Sequence, residues 1–256
     1  MQEPIGNVGS DFIRLKSRDV LKQLLKRDEG NYGAARSKLN QHMRVLDDAV
    51  ALFITRLQEA YRSADAWRAN APVQLSIAMA ASTLNCVLLT RHGILLGYYP
   101  EVRDLFRGCF ERVTRCVLFH MDGDEAHRFL AGVAIQQSHV DDRLTPLLSR
   151  VDAGETGAAR DFRGLYRFLH DVVQSSLGTT ELGTGDSGLA RLVGRPEMES
   201  LFGGVLSAEN GKAHIAVLTL IVLFALSALR IVLGEGPSDW VAELDRVKAE
   251  CSGLLE

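Results

Sequence analysis

The chain has 256 residues, of which 46% are hydrophobic and 24% charged, a balance typical of a soluble globular protein. Its formal net charge of −3 excludes bulk attraction to nucleic acid or to anionic membranes, so any nucleic-acid contact would need a local basic patch. Its four cysteines form no CxxC pair, and residues 1–12 contain no apolar core of the signal-peptide kind. These features predict a cytoplasmic protein.

The first segments along the chain predict helices interrupted by a glycine-containing break. A short helix is expected from Ser10 through Lys26, and the run DEGNYG at residues 28–33 is expected to end it. Residues 1–33 would then form an N-terminal helical arm. A long amphipathic helix is expected to follow, over residues 34–64.

The middle of the chain predicts three further helices. Proline suits the first turn of a helix, and Pro72 and Pro100 each precede a stretch with helical periodicity. We therefore expect helices over residues 72–90, 100–121 and 124–148, with Asp122-Gly123 ending the second of them.

The remaining chain predicts helices on either side of a glycine-rich region. Residues 152–157 are expected to be a loop, and residues 177–212 one long glycine-rich loop in which 196–206 forms a short helix. Helices are expected over the stretches 158–176, 213–233 and 238–255.

Together these elements predict the fold class. Almost every segment has helical period, and alternating strand patterns are nearly absent. We expect a single all-α domain, a bundle of seven or eight helices with one long glycine-rich loop. The apolar runs 73–89 and 215–229 are short or interrupted against the roughly 20 residues of a bilayer span, so both are expected to be buried core helices.

A polar line on the helix 158–176 is the most informative feature of the sequence. Arg163, Arg167, His170 and Gln174 follow one another at i, i+4, i+7 and i+11, so they lie along one side of the helix. On a helical wheel this line lies roughly 125° from the centre of the apolar face. Such a position can border a cleft or a partner.

A second polar line follows the helix 100–121. Arg103, Arg107 and Glu111 lie at i, i+4 and i+8, beside an apolar face that includes two of the cysteines. The simpler interpretation is an exposed Arg107–Glu111 ion pair, and the alternative is an organised polar pair inside the bundle.

No sequence motif indicates a metal or a cofactor. His120 and His127 have carboxylates between them, but the chain has no HExxH motif and no paired ExxH motif. Residues 183–188 match GxGxxG, but no strand is predicted before them, as dinucleotide binding requires. We therefore expect neither a metal site nor a cofactor.

Two arginine-to-histidine spacings resemble the motif of HEPN-type domains, which are small helical bundles that often act as metal-independent RNases. Arg115 precedes His120 with four intervening residues, and Arg163 precedes His170 with six. The wheel separates the first pair by about 140° and keeps the second on one line. The stretches Gly97 to Glu111 and Tyr166 to Ser176 also resemble uncharacterised bacterial helical proteins placed near that group.

The resemblance implies RNA cleavage by attack of the 2′-hydroxyl on the adjacent phosphorus. His170 would act as general base or acid, and Arg163 and Arg167 would stabilise the charge on the phosphate. Gln174 would position the scissile group, with Arg103, Arg107 and Glu111 as further substrate-binding residues. The resemblance further implies a homodimer, because one helix supplies half a site, and a role as a toxin or in defence.

Two other functions remain open, and geometry distinguishes them. A non-catalytic interaction module would bind a protein partner or a small ligand through the polar line, and a ligand-binding bundle would hold an apolar ligand between its helices. An RNase predicts that Arg163, Arg167 and His170 converge in an open groove. An interaction module predicts that they are salt-bridged or dispersed, and a ligand-binding bundle predicts a closed cavity.

Overall fold

A computed structural model describes residues 17–63, 70–150, 157–175 and 207–255, and these residues form an all-α bundle. Nine helices occur within this part of the chain. They are α1 (Ser17–Lys38), α2 (Asn40–Arg62), α3 (Ala71–Leu96), α4 (Tyr99–Met121), α5 (Gly123–Leu130), α6 (Gln137–Arg150), α7 (Gly157–Ser175), α8 (Ala208–Leu233) and α9 (Ser238–Leu255).

Helix α8 is the centre of the bundle. It packs against α1, α2, α3, α4, α7 and α9, and nearly all of its residues from Gly211 to Val232 are buried. A helix that is apolar on every side becomes stable in water when other helices surround it. This burial confirms the core position expected for residues 215–229.

Helices α3 and α4 form an antiparallel pair, which is the most extensive helix contact of the described chain. Gly97 ends α3 in the left-handed conformation (φ 81°) and lets the chain reverse into α4. Gly93 brings the two helices close together, because a Cβ at this position would lie 2.9 Å from Cγ2 of Val102.

Helix α3 is less enclosed than the sequence predicts. One side of it packs on α4, α8, α1 and α2, but Leu88 and Leu89 on another side are exposed. By length and composition both α3 and α8 could cross a membrane, and the apolar window of α8 is 89% buried in the bundle, against 39% for that of α3. The expectation of a buried core helix over residues 73–89 therefore holds for one side only.

The first expected break is located elsewhere. Helix α1 continues through residues 28–33, and the chain bends instead around the buried Leu39. The side chain of Asn31 donates to the carbonyl of Leu96 (2.8 Å), and the hydroxyl of Tyr98 bonds the Asp28 carboxylate. These contacts to the α3–α4 turn offset the low helix propensity of the glycines, so the predicted stop was wrong.

The expected helix 124–148 is two helices. Gly132 has a left-handed backbone (φ 84°), and α5 and α6 are separated at residues 131–136. Ile135 in this break packs into a small second core with Leu118 and Phe119 of α4. This division makes nine described helices instead of seven or eight.

The glycine-rich region ends earlier in the structure than the sequence predicts. Residues 176–206, including the expected short helix at 196–206, lie outside the described residues, as does most of the predicted loop 152–157. Helix α8 begins at Ala208, five residues before the predicted start, because the Ser207 hydroxyl caps it by accepting from the backbone N–H of Asn210 (3.3 Å).

Candidate acid–base site in the cleft between α6 and α7

Helix α7 is positioned by a wholly apolar face. Phe162, Leu169, Val172 and Val173 are buried, and the helix packs on α8 and α4. The polar line lies at the border of this face, as predicted: Arg163 and His170 are half-buried and Arg167 is exposed.

An open cleft of about 630 Å³ lies between α6 and α7. Both helices pack on α4 and touch each other little, so a gap remains between them. The side chains that line this cleft are Asp141, Asp142, Thr145, Pro146, Tyr166, Arg167, His170 and Asp171. Two residues of the predicted catalytic line therefore face the same opening.

The imidazole of His170 lies between two carboxylates. Its Nε2 is 3.8 Å from Oδ2 of Asp141, and its Nδ1 is 3.7 Å from Oδ1 of Asp171. Both distances are longer than a hydrogen bond, and the side chain is 37% exposed to the cleft. The ring can therefore exchange a proton with a molecule in the cleft while a carboxylate remains near each nitrogen.

Asp141 is held in place by two donors. Tyr166 Oη donates to its Oδ1 at 2.8 Å, and Gln137 Nε2 donates to the same oxygen at 2.9 Å. Burial, followed by the hydrogen bond to Asp141, raises the pKa of Tyr166 well above its ordinary value, so the phenol stays protonated and remains a donor. The other oxygen, Oδ2, faces His170.

The network continues down to α4. Gln137 Nε2 also lies 3.2 Å from Oγ1 of Thr114, whose hydroxyl donates to the carbonyl of Glu111 (3.0 Å). Helix α4 thus anchors the first turn of α6, and α6 orients Asp141 toward α7. The polar contacts connect three helices that come from distant parts of the chain.

Aromatic rings form the floor beneath His170. The ring of Phe110 meets the imidazole edge-on at 6.1 Å between centroids, and the ring of Tyr166 lies 5.9 Å away. Phe110 stacks in turn on Tyr166 and on Phe224 of the central helix. This stack joins the cleft to the core and places aromatic rings beside the histidine.

The charge of the cleft is more acidic than the sequence predicts. Among the described residues that line it, Asp141, Asp142 and Asp171 supply three carboxylates, and Arg167 supplies one guanidinium. Asp142, Arg167 and Asp171 are exposed, so water and salt screen their charges.

Arg163 is not part of this lining. The described walls of the cleft include Arg167 and His170 but not Arg163, which lies one turn earlier on α7. The side chain of Gln174 lies outside what the structure describes. The structure therefore brings together two of the four residues of the predicted line.

The predicted line on α4 is divided. Arg107 Nε bonds Oε1 of Glu111 at 2.8 Å, and Arg115 lies 3.4 Å from the second oxygen of the same carboxylate. The Arg107 side chain is 49% exposed, whereas Glu111 is half-buried. The simpler interpretation, an exposed ion pair, therefore fits the arginine of this pair.

Arg103 is buried at the other end of this line. No described residue forms a hydrogen bond with its Nε, and burial lowers its pKa. It lies near His214 of α8, whose ring contacts those of Tyr99 and Phe106 at centroid distances of 4.7 and 5.7 Å. Arg103 is thus directed into the core contact between α4 and α8, away from the exposed side of Arg107.

Sequence reasoning missed Asp141, Tyr166 and Gln137 as members of the site. Asp141 lies on a different helix from the predicted polar line, and Tyr166 has the spacing of the apolar face of α7. The available signal was the i, i+4 spacing of Gln137 and Asp141, together with the position of Tyr166 one turn before His170.

Within the described residues, no group of three or more histidine, cysteine, aspartate or glutamate side chains could hold a metal ion. No protein-family model matches the chain, and no curated protein or solved structure is significantly similar to it.

Proposed function

We propose that this chain is a HEPN-like helical protein that cleaves RNA without a metal ion, with His170 as the proton-transfer group. The observation that carries the proposal is the presence of Arg167 and His170 in one open cleft, with Asp141 beside Nε2 of the histidine. An imidazole nitrogen that is open to the cleft can both take up a proton and return it, as this reaction requires.

In this mechanism the RNA 2′-hydroxyl gives its proton to His170 and attacks the adjacent phosphorus. The phosphodiester bond to the 5′-oxygen breaks, and the products are a 2′,3′-cyclic phosphate and a free 5′-hydroxyl. Arg167 stabilises the charge that develops on the phosphate oxygens. Asp141, held by Tyr166 and Gln137, stabilises the protonated imidazole. We further propose that two copies pair, so that a second histidine serves as the acid.

The test is cleavage of total RNA in the presence of EDTA by wild type, by His170→Ala and by His92→Ala. His92 is an exposed histidine on α3 and serves as the matched control. We expect wild type and His92→Ala to cleave and His170→Ala to lose at least a hundredfold in rate. No cleavage by folded wild type, or equal cleavage by all three proteins, would reject the proposal.

A second candidate function is favoured by the charge of the cleft. Three carboxylates against one arginine suit a cationic group, so the cleft would bind a basic segment of a protein partner without catalysis. Here His170 and Arg167 would be recognition residues.

One double variant separates the two functions. In Asp142→Asn/Asp171→Asn both exposed carboxylates are neutral, while Asp141 and its network are unchanged. An RNase should then bind RNA more tightly, measured as a lower Kd, because fewer carboxylates repel the phosphates. A module for basic segments should instead lose affinity for a labelled oligoarginine peptide, measured by fluorescence anisotropy.

A further inference from the structure

Two cysteines face each other where α3 and α4 approach closely. The register follows from Gly93, which lies against Val102: seven residues earlier on α3 is Cys86, and seven residues later on α4 is Cys109. Because the helices are antiparallel, these two positions oppose each other as Gly93 and Val102 do. The Cys109 thiol contributes to the lowered pKa of Cys86, as expected for neighbouring sulfurs, and both cysteines are free.

The two sulfurs differ in their access to solvent. Cys86 is half-buried at the edge of the helix pair, and its thiol donates to the carbonyl of Leu105 at 3.5 Å. Cys109 is fully buried beneath it. A small reagent would therefore meet Cys86 first, with Cys109 directly behind it.

Arg112 places a positive charge beside Cys86. Its Nη1 lies 3.9 Å from the sulfur, while Nε donates to Ser82 Oγ (3.0 Å) and Nη1 donates to the carbonyl of Gly108 (2.6 Å). The Arg112 side chain can lie here because residue 108 is a glycine, and a Cβ at this position would lie only 2.8 Å from Nη1. In the described part of the chain, no carboxylate forms an ion pair with Arg112, so its charge is available to a thiolate.

The cysteines differ in the pKa of their thiols. A hydrogen bond from Cys109 and the positive charge of Arg112 lower the pKa of Cys86 to about 7, although burial by itself would raise it. Burial raises the pKa of Cys116 to about 12 and that of Cys251 to about 11. At neutral pH the nucleophilic thiolate form is therefore expected at Cys86.

We propose that Cys86 is a peroxide-reactive thiol, and that Cys109 resolves its oxidised form into a Cys86–Cys109 disulfide. The Cys86 thiolate attacks one oxygen of hydrogen peroxide, the O–O bond breaks, and hydroxide leaves and takes up a proton to become water. Cys86 is then a sulfenic acid. The Cys109 sulfur, as its proton leaves, displaces the hydroxyl as a second water. The two thiols lose two electrons, and the peroxide gains them.

The experiment treats the full chain with hydrogen peroxide and maps the tryptic peptides by mass spectrometry. Cys86 lies in peptide 69–91 and Cys109 in peptide 108–112, so their cross-link is distinct from any bond to the other two cysteines. We expect wild type and the matched control Cys116→Ser to form this cross-link. Cys109→Ser should form none and should carry a dimedone adduct on Cys86. Peroxide treatment that leaves Cys86 unmodified, or that oxidises Cys116 as fast, would overturn the proposal.

A second variant separates the charge of Arg112 from packing. Alkylation of Cys86 by iodoacetamide should rise with pH around a midpoint near 7 in wild type. In Arg112→Gln the midpoint should move upward and the rate at pH 7 should fall roughly tenfold. Circular dichroism checks that the variant is folded, and an unchanged pH profile would reject the activating role. Both tests are independent of RNA cleavage at the α6–α7 cleft.

Discussion

The polar lines of α4 and α7 look alike in the sequence and differ in the structure. On α7, Arg167 and His170 border an open cleft. On α4, Arg103 is buried while Arg107 forms an ion pair with Glu111. The difference arises from the neighbours: α4 packs against α3, α5, α6, α7 and α8, whereas α7 packs mainly on α8 and α4. A polar line remains available to a ligand when few helices enclose it.

The largest expected effect compares two arginines on α7. If the cleft is an RNase site, Arg167→Ala should lower the rate of RNA cleavage by roughly 10²–10³, as is typical of a lost transition-state donor. Arg163→Ala should lower it by less than about tenfold, because Arg163 is outside the cleft lining. Single-turnover cleavage measures both, and equal losses would mean that the whole line acts together.

The next effect concerns His214, beside the buried end of the α4 line. Burial, more than the charge of Arg103, lowers the pKa of His214 to about 4, so the folded protein holds the ring neutral. The unfolded chain binds this proton near pH 6.5, so between pH 6.5 and 4 the unfolded state holds more protons. The free energy of unfolding should therefore fall as pH drops through this window, by at most roughly 1.4 kcal/mol per unit.

Urea titrations across that pH window test this prediction. His214→Phe keeps an aromatic ring beside Tyr99 and Phe106 and removes the titrating group, so its stability should depend less on pH. His127→Gln, at an exposed histidine, is the control. An equal pH dependence in wild type and His214→Phe would contradict the expected role of His214.

A smaller effect compares the two arginines on α4. Arg103→Met removes a buried charge whose Nε has no hydrogen-bond partner among the described residues, and it should raise the free energy of unfolding by about 1–2 kcal/mol. Arg107→Met removes a half-exposed ion pair and should change the free energy of unfolding by about 0.5 kcal/mol or less. Chemical denaturation measures both. A destabilised Arg103→Met would show that the guanidinium has a stabilising partner in solution.

A further small effect is expected at Glu111, whose carboxylate forms ion pairs with both Arg107 and Arg115. Glu111→Gln should destabilise the protein by roughly 0.5–1 kcal/mol at low salt, and by less at high salt, because Arg107 is half-exposed and salt screens its attraction to the carboxylate. Thermal unfolding at two salt concentrations measures the difference. A loss that does not depend on salt would indicate hydrogen bonding instead of charge.

The helices could be predicted well where periodicity and caps agreed. The α4 and α9 boundaries match the structure within a residue, and α7 differs by one residue at each end. The errors fall where tertiary contacts override local preference. Asn31 and Asp28 of α1 contact the α3–α4 turn, and α1 remains helical through two glycines. The chain breaks at Gly132, and Ile135 in this break packs into the small core beside α4.

The candidate site could be predicted only in part. Helical spacing placed Arg167 and His170 on one side of α7, because both residues belong to the same helix. Asp141 comes from a different helix, and no spacing along the chain relates it to His170. The approach of α6 to α7 adds the carboxylates of α6 to the cleft and makes it acidic. An acidic cleft favours a cationic ligand, whereas the polar line alone suggests an anionic one.

The sequence by itself determined an all-helical chain, the apolar segment that became its central helix and the polar border of α7, because each depends on the period of a single helix. The tertiary structure decided which polar line stayed open, which carboxylate faces His170 and which cysteine lies beside Arg112. These depend on the packing of segments far apart in the chain, and helical periodicity carries no information about a neighbouring helix.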